Sequence, residues 1–277
     1  MNNSEIQKNV KNGYAAILKR SKKVKFMPTF LTCCDLKAVV KDISYQIGYS
    51  ENELQRVPEG ANLGIGCGNP TALSSITKGE TILDLGSGAG FDCFLAANET
   101  GETGKVIGVD LTPEMVAQAR INAKKGNYQH VEFKVGAIEN LPIESDSIDL
   151  IISNCVINLS NQKEQVFSEA YRVAKQHGRI MISDIVLLHD LPDYVKNSVE
   201  GHIACLAGAV RIENYFDGLS KAGFTEIKID KQSIFPMELM LNDPLAEKIV
   251  RENKLSEKEI KGIANSIASI SISARKI

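Results

Sequence analysis

The stretch Thr81–Asp92, TILDLGSGAGFD, decides how this chain folds. Ile82, Leu83 and Leu85 form a short apolar run of the buried-strand type, and Asp84 interrupts it just ahead of a glycine-rich turn. Gly86, Gly88 and Gly90 follow at alternate positions, after which Phe91–Ala97 reads as a helix. A strand that breaks into such a turn and opens a helix brings backbone N–H groups close to a ligand, because glycine has no Cβ to block the approach. The spacing is G-x-G-x-G, so Phe91 stands where a dinucleotide fingerprint requires glycine.

A second acid extends the pattern. Val106–Val109 is another apolar run and ends in Asp110, about 25 residues past Gly86, where folds of this kind hydrogen-bond ribose hydroxyls. The glycine turn with an acid two residues upstream resembles motif I of class I S-adenosylmethionine-dependent methyltransferases. That resemblance implies S-adenosylmethionine as cofactor, with its ribose on Asp110 and its methionine part against Asp84, Gly86, Ser87, Gly88 and Gly90. Its adenine is expected near Leu111 and Met115, with Ile138 and Glu139 of the segment GAIENLP on the far side. Asn154 is expected to hold the methionine carboxylate or amine.

Working outward, strands and helices alternate from about Lys78 to Ile185, the signature of a doubly wound parallel sheet. The expected strands are Thr81–Leu85, Val106–Asp110, Val131–Val135, Ser147–Ser153 and Arg179–Ile185. The expected helices between them are Phe91–Ala97, Pro113–Lys125 and Lys163–Val173, the second opened by Thr112 as N-cap with Pro113 at the first helical position. Residues 1–77 read as an N-terminal helical extension and cysteine-bearing lid, with helices around Ser4–Lys19 and Leu36–Ile47. Residues 78–188 form the Rossmann-like cofactor-binding core. Residues 189–277 read as an α+β appendage: helices near Asp193–Leu206 and Arg211–Ala222, a strand near Thr225–Ile229, then helices around Pro244–Asn253 and Ser256–Ser266. The alternating segment Ile267–Ala274 is expected to close the sheet edge.

Composition narrows the function classes. At 277 residues and 43% hydrophobic, the chain can bury a substantial core. No apolar run approaches the ~20 residues of a membrane span, and the polar start MNNSEIQKNVKNG has no secretory h-region. A cytoplasmic protein is expected. The formal net charge of −2 offers no general attraction to nucleic acid. The basic run Lys19–Lys25 reads as a solvated helix end, and the absence of tryptophan removes the best stacking group.

The six cysteines carry the rest. In a cytosolic chain they are expected as reduced thiols, and no C-x-x-C spacing suggests a zinc ribbon or a thioredoxin motif. Cys93, flanked by Phe91, Phe94 and Leu95, reads as core. Cys155 follows the fourth strand, at the carboxyl edge where open parallel sheets bind ligands. Cys67 sits between glycines in Gly66–Pro70, Cys205 among small residues in ACLAGA, and Cys33 and Cys34 are vicinal. Several separated thiols converging near a methyl donor suggest a soft, thiophilic acceptor.

The set IGCGNP (Ile65–Pro70), Ile82–Asp92, SNCVINLS (Ser153–Ser160) and CLAGA (Cys205–Ala209) resembles the arsenite methyltransferase family, over roughly Cys33 to Phe235. The resemblance implies that Cys67, Cys155 and Cys205 bind trivalent arsenic, as arsenite or its thiol adducts. It also implies that Cys33 or Cys34 pairs with Cys67 in redox turnover, reset by a glutathione- or thioredoxin-like thiol reductant. Asp35 after the vicinal pair departs from the glycine common there. Two other readings compete. A carbon- or oxygen-methyltransferase of the quinone or sterol type needs a general base, and His202 is the one histidine near a site segment. A non-catalytic thiolate protein holding zinc leaves the glycine turn unexplained.

Overall fold

The computed structural model describes residues 3–24, 33–196, 205–234 and 249–277. Its centre is one eight-stranded sheet. In chain order the strands are β1 (Thr81–Leu85), β2 (Lys105–Asp110), β3 (Val131–Val135), β4 (Ile148–Asn154), β5 (Ala174–Leu187), β6 (Val210–Arg211), β7 (Thr225–Ile234) and β8 (Ile267–Arg275). The spatial order is β3-β2-β1-β4-β5-β8-β7, with short β6 beside the end of β5. Neighbours from β3 to β5 are parallel, and β8 runs antiparallel to both β5 and β7.

Parallel neighbours need crossovers, and the helices Phe91–Thr100, Pro113–Lys125 and Lys163–Val173 supply them. Thr112 caps the second of these without a side-chain bond; its backbone N–H instead donates to Asp110. Because strand side chains alternate, β1 feeds two cores. Ile82 packs with Phe94, Val116, Leu150 and Ile152 on one face. Leu83 and Leu85 pack with Ile151, Phe167 and Tyr215 on the other. The five expected core strands are present, and β5 starts earlier than read, at Ala174.

The C-terminal region corrects one expectation. Segment Ile267–Ala274 does not close the edge: β8 is inserted between β5 and β7, and β7 is the edge strand. The physical reason lies in its two-sided burial. Ile270 and Ile272 enter the core on one face, while the serines of the other face meet β5, where Ser271 lies 3.2 Å from Ser183, Oγ to Oγ. An edge position would leave one ladder of β8 unpaired, whereas charged, exposed β7 suits solvent. The helix Glu257–Asn265 ahead of β8 is opened by a capping box between Ser256 and Glu259. The expected helix Asp193–Leu206 is helical over Asp193–Lys196; residues 197–204, with His202, lie outside the described residues, as do 244–248 of the helix expected around Pro244–Asn253.

At the other end, the helix Asn3–Val24 lies against the helix Pro113–Lys125 and the 3-10 turn Ile157–Leu159, burying Ile6, Val10 and Leu18. Among the described residues no helix is long and apolar enough to cross a membrane.

Candidate active site

The carboxyl ends of β1, β2 and β4 open into a crevice of about 110 Å³ beneath the N-terminal helix, whose Val10 and Tyr14 form part of its roof. Asp84, Gly86, Ser87 and Gly88 wall it on the β1 side, Asp110 and Leu111 at the end of β2. Ile138, Glu139, Asn154 and Cys155 also line it. Gly90 lies one position behind the wall, and Met115 is fully buried beside the crevice rather than on its surface.

The glycine turn is shaped for an occupant. Gly86 has φ +69°, and a side chain there would run into Val156. Gly88 also has a left-handed φ, +53°, yet a Cβ added to it meets nothing within 4 Å: it would project into open space. The Gly88 N–H donates to Asp110 at 2.9 Å, which ties the turn to the tip of β2. Ser87 Oγ is buried with no hydrogen-bond partner among the described residues. A buried hydroxyl without a partner is uncommon, and this one packs against Gly108 of β2.

The electrostatics point the same way. Asp84, Asp92 and Asp110 are all at the crevice, and no lysine or arginine among the described residues pairs with them. Burial pushes Asp84 well above the usual carboxylate range, with Asp92 and Asp110 adding to the effect and the Cys93 thiol opposing it. Burial raises Asp92 to about 6 against hydrogen bonds from Tyr49 and Asn154. Asp110 is also raised by burial. Asp84 and Asp92 are buried and Asp110 is half-buried, so the crevice carries three acids with no lysine or arginine paired to them among the described residues.

Asn154 lines the crevice and also has a task within the protein. Its side chain is committed within the protein: Oδ1 accepts the Cys67 N–H at 2.9 Å, and Nδ2 donates to Asp92, Gly68 O and Tyr49 Oη. This network fastens the Cys67 loop to the end of β4.

The cysteines meet where that loop lands. Cys67, Cys155 and Cys205 fall in one buried cluster with Ile185 and Leu206. Cys67 and Cys155 are joined as a disulfide, with Cα atoms 5.5 Å apart across 88 residues of chain. The Cys205 thiol donates to Cys155 O at 2.9 Å. Cys155 and Cys205 both hold left-handed backbone, φ +59° and +61°. Non-glycine residues in that region are uncommon and concentrate at functional sites. One expectation is corrected, since the thiols are not all reduced: Cys67 is bonded to Cys155, and the expected pairing of Cys67 with Cys33 or Cys34 falls on side chains outside the described residues. The Asn154 clamp explains this, since it brings the two Cα atoms inside bridging range. Cys33 and Cys34 open the helix Cys33–Gln46, and their side chains lie outside the described residues. Cys93 is buried core and donates to Asp84.

A methyltransferase-domain family matches residues 76–223, more than half of the chain. An arsenite methyltransferase of Aquipseudomonas alcaligenes is 32% identical over 254 residues, covering 88% of this chain and 68% of that protein. The chain belongs to the arsenite methyltransferase family. The arsenite methyltransferase of Halobacterium salinarum is 47% identical over 186 residues, 67% of this chain, and the chain spans only about half of that relative, 48%. The solved structure of an arsenic(III) S-adenosylmethionine methyltransferase from Chlamydomonas reinhardtii superposes with a TM-score of 0.60 at 30% identity, covering 87% of this chain and 73% of that one. The doubly wound sheet is thus a class I methyltransferase fold.

In this arsenite methyltransferase family member, several site groups escaped the sequence reading. Asp92 and Tyr49 are the first: the Tyr49 hydroxyl donates to Asp92 at 2.6 Å. Asp184 is the next, with a carboxylate oxygen within 4.8 Å of both disulfide sulfurs. It accepts from the Asn158 N–H, Asn158 Nδ2, the Ile185 N–H and the Tyr215 hydroxyl, and burial raises it to about 6. An acid inside the apolar strand IMISDIV was the available signal for Asp184.

Proposed function

We propose that this chain methylates trivalent arsenic, using S-adenosylmethionine bound in the crevice and holding the arsenic on Cys67, Cys155 and Cys205 once the disulfide is reduced. The observation that carries the reading is the convergence of three cysteines from separate loops at the edge of an acid-lined crevice. The cofactor is a sulfonium that also carries an ammonium, so Asp84, Asp92 and Asp110 suit it. Gly88 leaves room for it. When bound, S-adenosylmethionine supplies an electrophilic methyl group.

The chain's own residues supply the rest. Cys67, Cys155 and Cys205 lose their protons as they take up arsenic, as thiols do on binding other thiophilic centres. Arsenic held by three thiolates is pyramidal and keeps a lone pair, so the acceptor has no proton to lose and no general base is required. Asn154 holds the Cys67 loop and the Asp92 side of the crevice on one amide, which fixes acceptor and donor relative to each other. Alignment of this kind is worth several kcal/mol of barrier. Methyl transfer takes arsenic formally to the pentavalent state. Two thiolates returning it to trivalent become a disulfide, and Cys67–Cys155 has the form of that pair. An external thiol then resets it.

An organic acceptor finds less support, because no histidine lines the crevice among the described residues. Zinc held by Cys67, Cys155 and Asp184 finds little, because the Asp184 oxygens already accept four hydrogen bonds. The test is methyl transfer to arsenite with excess thiol, comparing the intact protein with Cys155→Ser and Cys205→Ser. Methylated arsenic from the intact protein, with a loss of at least about 100-fold in each variant, is expected. Equal turnover by the serine variants would refute the ligand set.

A further inference from the structure

In the segment CLAGA, Cys205–Ala209, the methyl-transfer reading uses the cysteine and gives the small residues no task. Gly208 has one. It lies directly on the main chain of Asn158, so that a side chain at Gly208 would run into the Asn158 carbonyl. Asn158 belongs to the turn Ile157–Leu159 that follows Cys155, so the loop of one thiol rests on the turn of the other. From this seat the Cys205 thiol donates to Cys155 O at 2.9 Å.

Asn158 is itself held from several sides. Its Nδ2 donates to Asp184 Oδ1 at 2.8 Å and to Ile185 O at 2.7 Å, and the Tyr215 hydroxyl lies 3.0 Å from its Oδ1. The same hydroxyl donates to Asp184 Oδ2 at 2.8 Å. Asn158, Asp184 and Tyr215 are all buried. Burying a carboxylate is costly, and here its acceptor positions go to fixing one asparagine. Cys155 and Cys205 both hold left-handed backbone, a conformation that persists only where the surroundings over-determine it. The contact between Gly208 and Asn158 joins the two strained loops.

We propose that the seat of Gly208 on Asn158, fixed by Asp184 and Tyr215, sets Cys155 and Cys205 as a chelating pair for trivalent arsenic. Gly208 and Asn158 are positioning residues that act through the two cysteines. An arsenical that takes two thiols depends on their separation and mutual direction, and its gain over a single bond is lost when the geometry forbids both. The reactivity of one thiol alone depends on its own exposure and charge surroundings. Displacing the Cys205 loop therefore removes chelation ahead of single-thiol chemistry.

The inference rests on the proposed function in that these cysteines hold the arsenic, and its test needs no methyl donor. The protein is the full-length chain with Cys33, Cys34 and Cys67 replaced by serine, which leaves Cys155 and Cys205 as the pair beside the core residue Cys93. The probe is phenylarsine oxide, which in water carries two hydroxyls on arsenic. At each thiol an As–S bond forms, an As–O bond breaks, and the thiol proton leaves with the hydroxyl as water. Arsenic stays trivalent and no reductant is consumed. Affinity is measured by competition with dithiothreitol, read by intact mass, and single-thiol reactivity by N-ethylmaleimide rates at each cysteine. Gly208→Ala is expected to weaken the arsenical about tenfold and to leave the maleimide rates within about twofold. Added to Cys205→Ser, it is expected to change nothing further. Tyr215→Phe, which loosens the seat without adding bulk, is expected to weaken the arsenical about threefold. Unchanged affinity in both variants, equal slowing of the maleimide, or a Gly208→Ala loss that persists after Cys205→Ser would overturn the proposal. If Cys205→Ser by itself leaves the affinity untouched, the ligand set and the seat fail together; a loss there with none in Gly208→Ala sinks the seat alone.

Discussion

Asn154 joins the Cys67 loop to the crevice wall, since one amide binds the Cys67 N–H, Asp92 and Tyr49. Asn154→Ala is expected to cost about 2 kcal/mol of stability, because it leaves buried partners unsatisfied. It should also lower the yield of the Cys67–Cys155 disulfide, read as free thiols per chain after mild oxidation. Asp92, raised to about 6, makes a second prediction. A cationic cofactor requires its ionised form, which is lost as pH falls through 6. Calorimetric affinity for S-adenosylmethionine should therefore level off above pH 7 and fall by about tenfold per unit below 6. Asp92→Asn should be weak and flat across that range; a steep profile in the variant would assign the titration elsewhere. Neither role was legible in sequence. Asp92 ends the glycine motif, and the partners that define its role, Tyr49 and Asn154, lie 43 and 62 residues away in the chain.

The glycine turn shows how far one element can be read from its pattern. Strand, turn, helix and second acid were all legible, because close backbone approach demands glycine and leaves a spacing behind. The separate tasks of the glycines were not. Gly86→Ala meets Val156 and should destabilise the fold, by about 2 kcal/mol or more in urea unfolding. Gly88→Ala faces open space and should cost only about 1 kcal/mol for its left-handed backbone, while weakening S-adenosylmethionine binding by at least tenfold. Equal stability losses in the two variants would show that the open space at Gly88 is not the ligand's. The strand β8 was also legible as a strand from its Ile–Ser alternation. Its position was not, because alternation reports two different faces and says nothing about which strands lie to either side.

At the scale of the whole molecule, the sheet runs through the C-terminus, so the last strand is a structural member of the cofactor-binding core. Deleting residues 267–277 removes the strand that pairs β5 with β7. The truncated chain is expected to lose cooperative thermal unfolding altogether rather than shift its midpoint by a few degrees; a cooperative transition close to that of the full chain would contradict this placement. The same scale separates what each level of description determined. By itself the amino-acid sequence determined the doubly wound class, the glycine turn and the three cysteines that the fold brings together, because these are carried by local periodicity, glycine spacing and residue type. Only the tertiary structure decided that Cys67 bonds to Cys155, that Asp184 stands beside the disulfide, and that Tyr49 and Asp92 meet at Asn154. Those are contacts between residues far apart in the chain. Their energies come from burial and hydrogen-bond geometry that exist only once the sheet has closed around them.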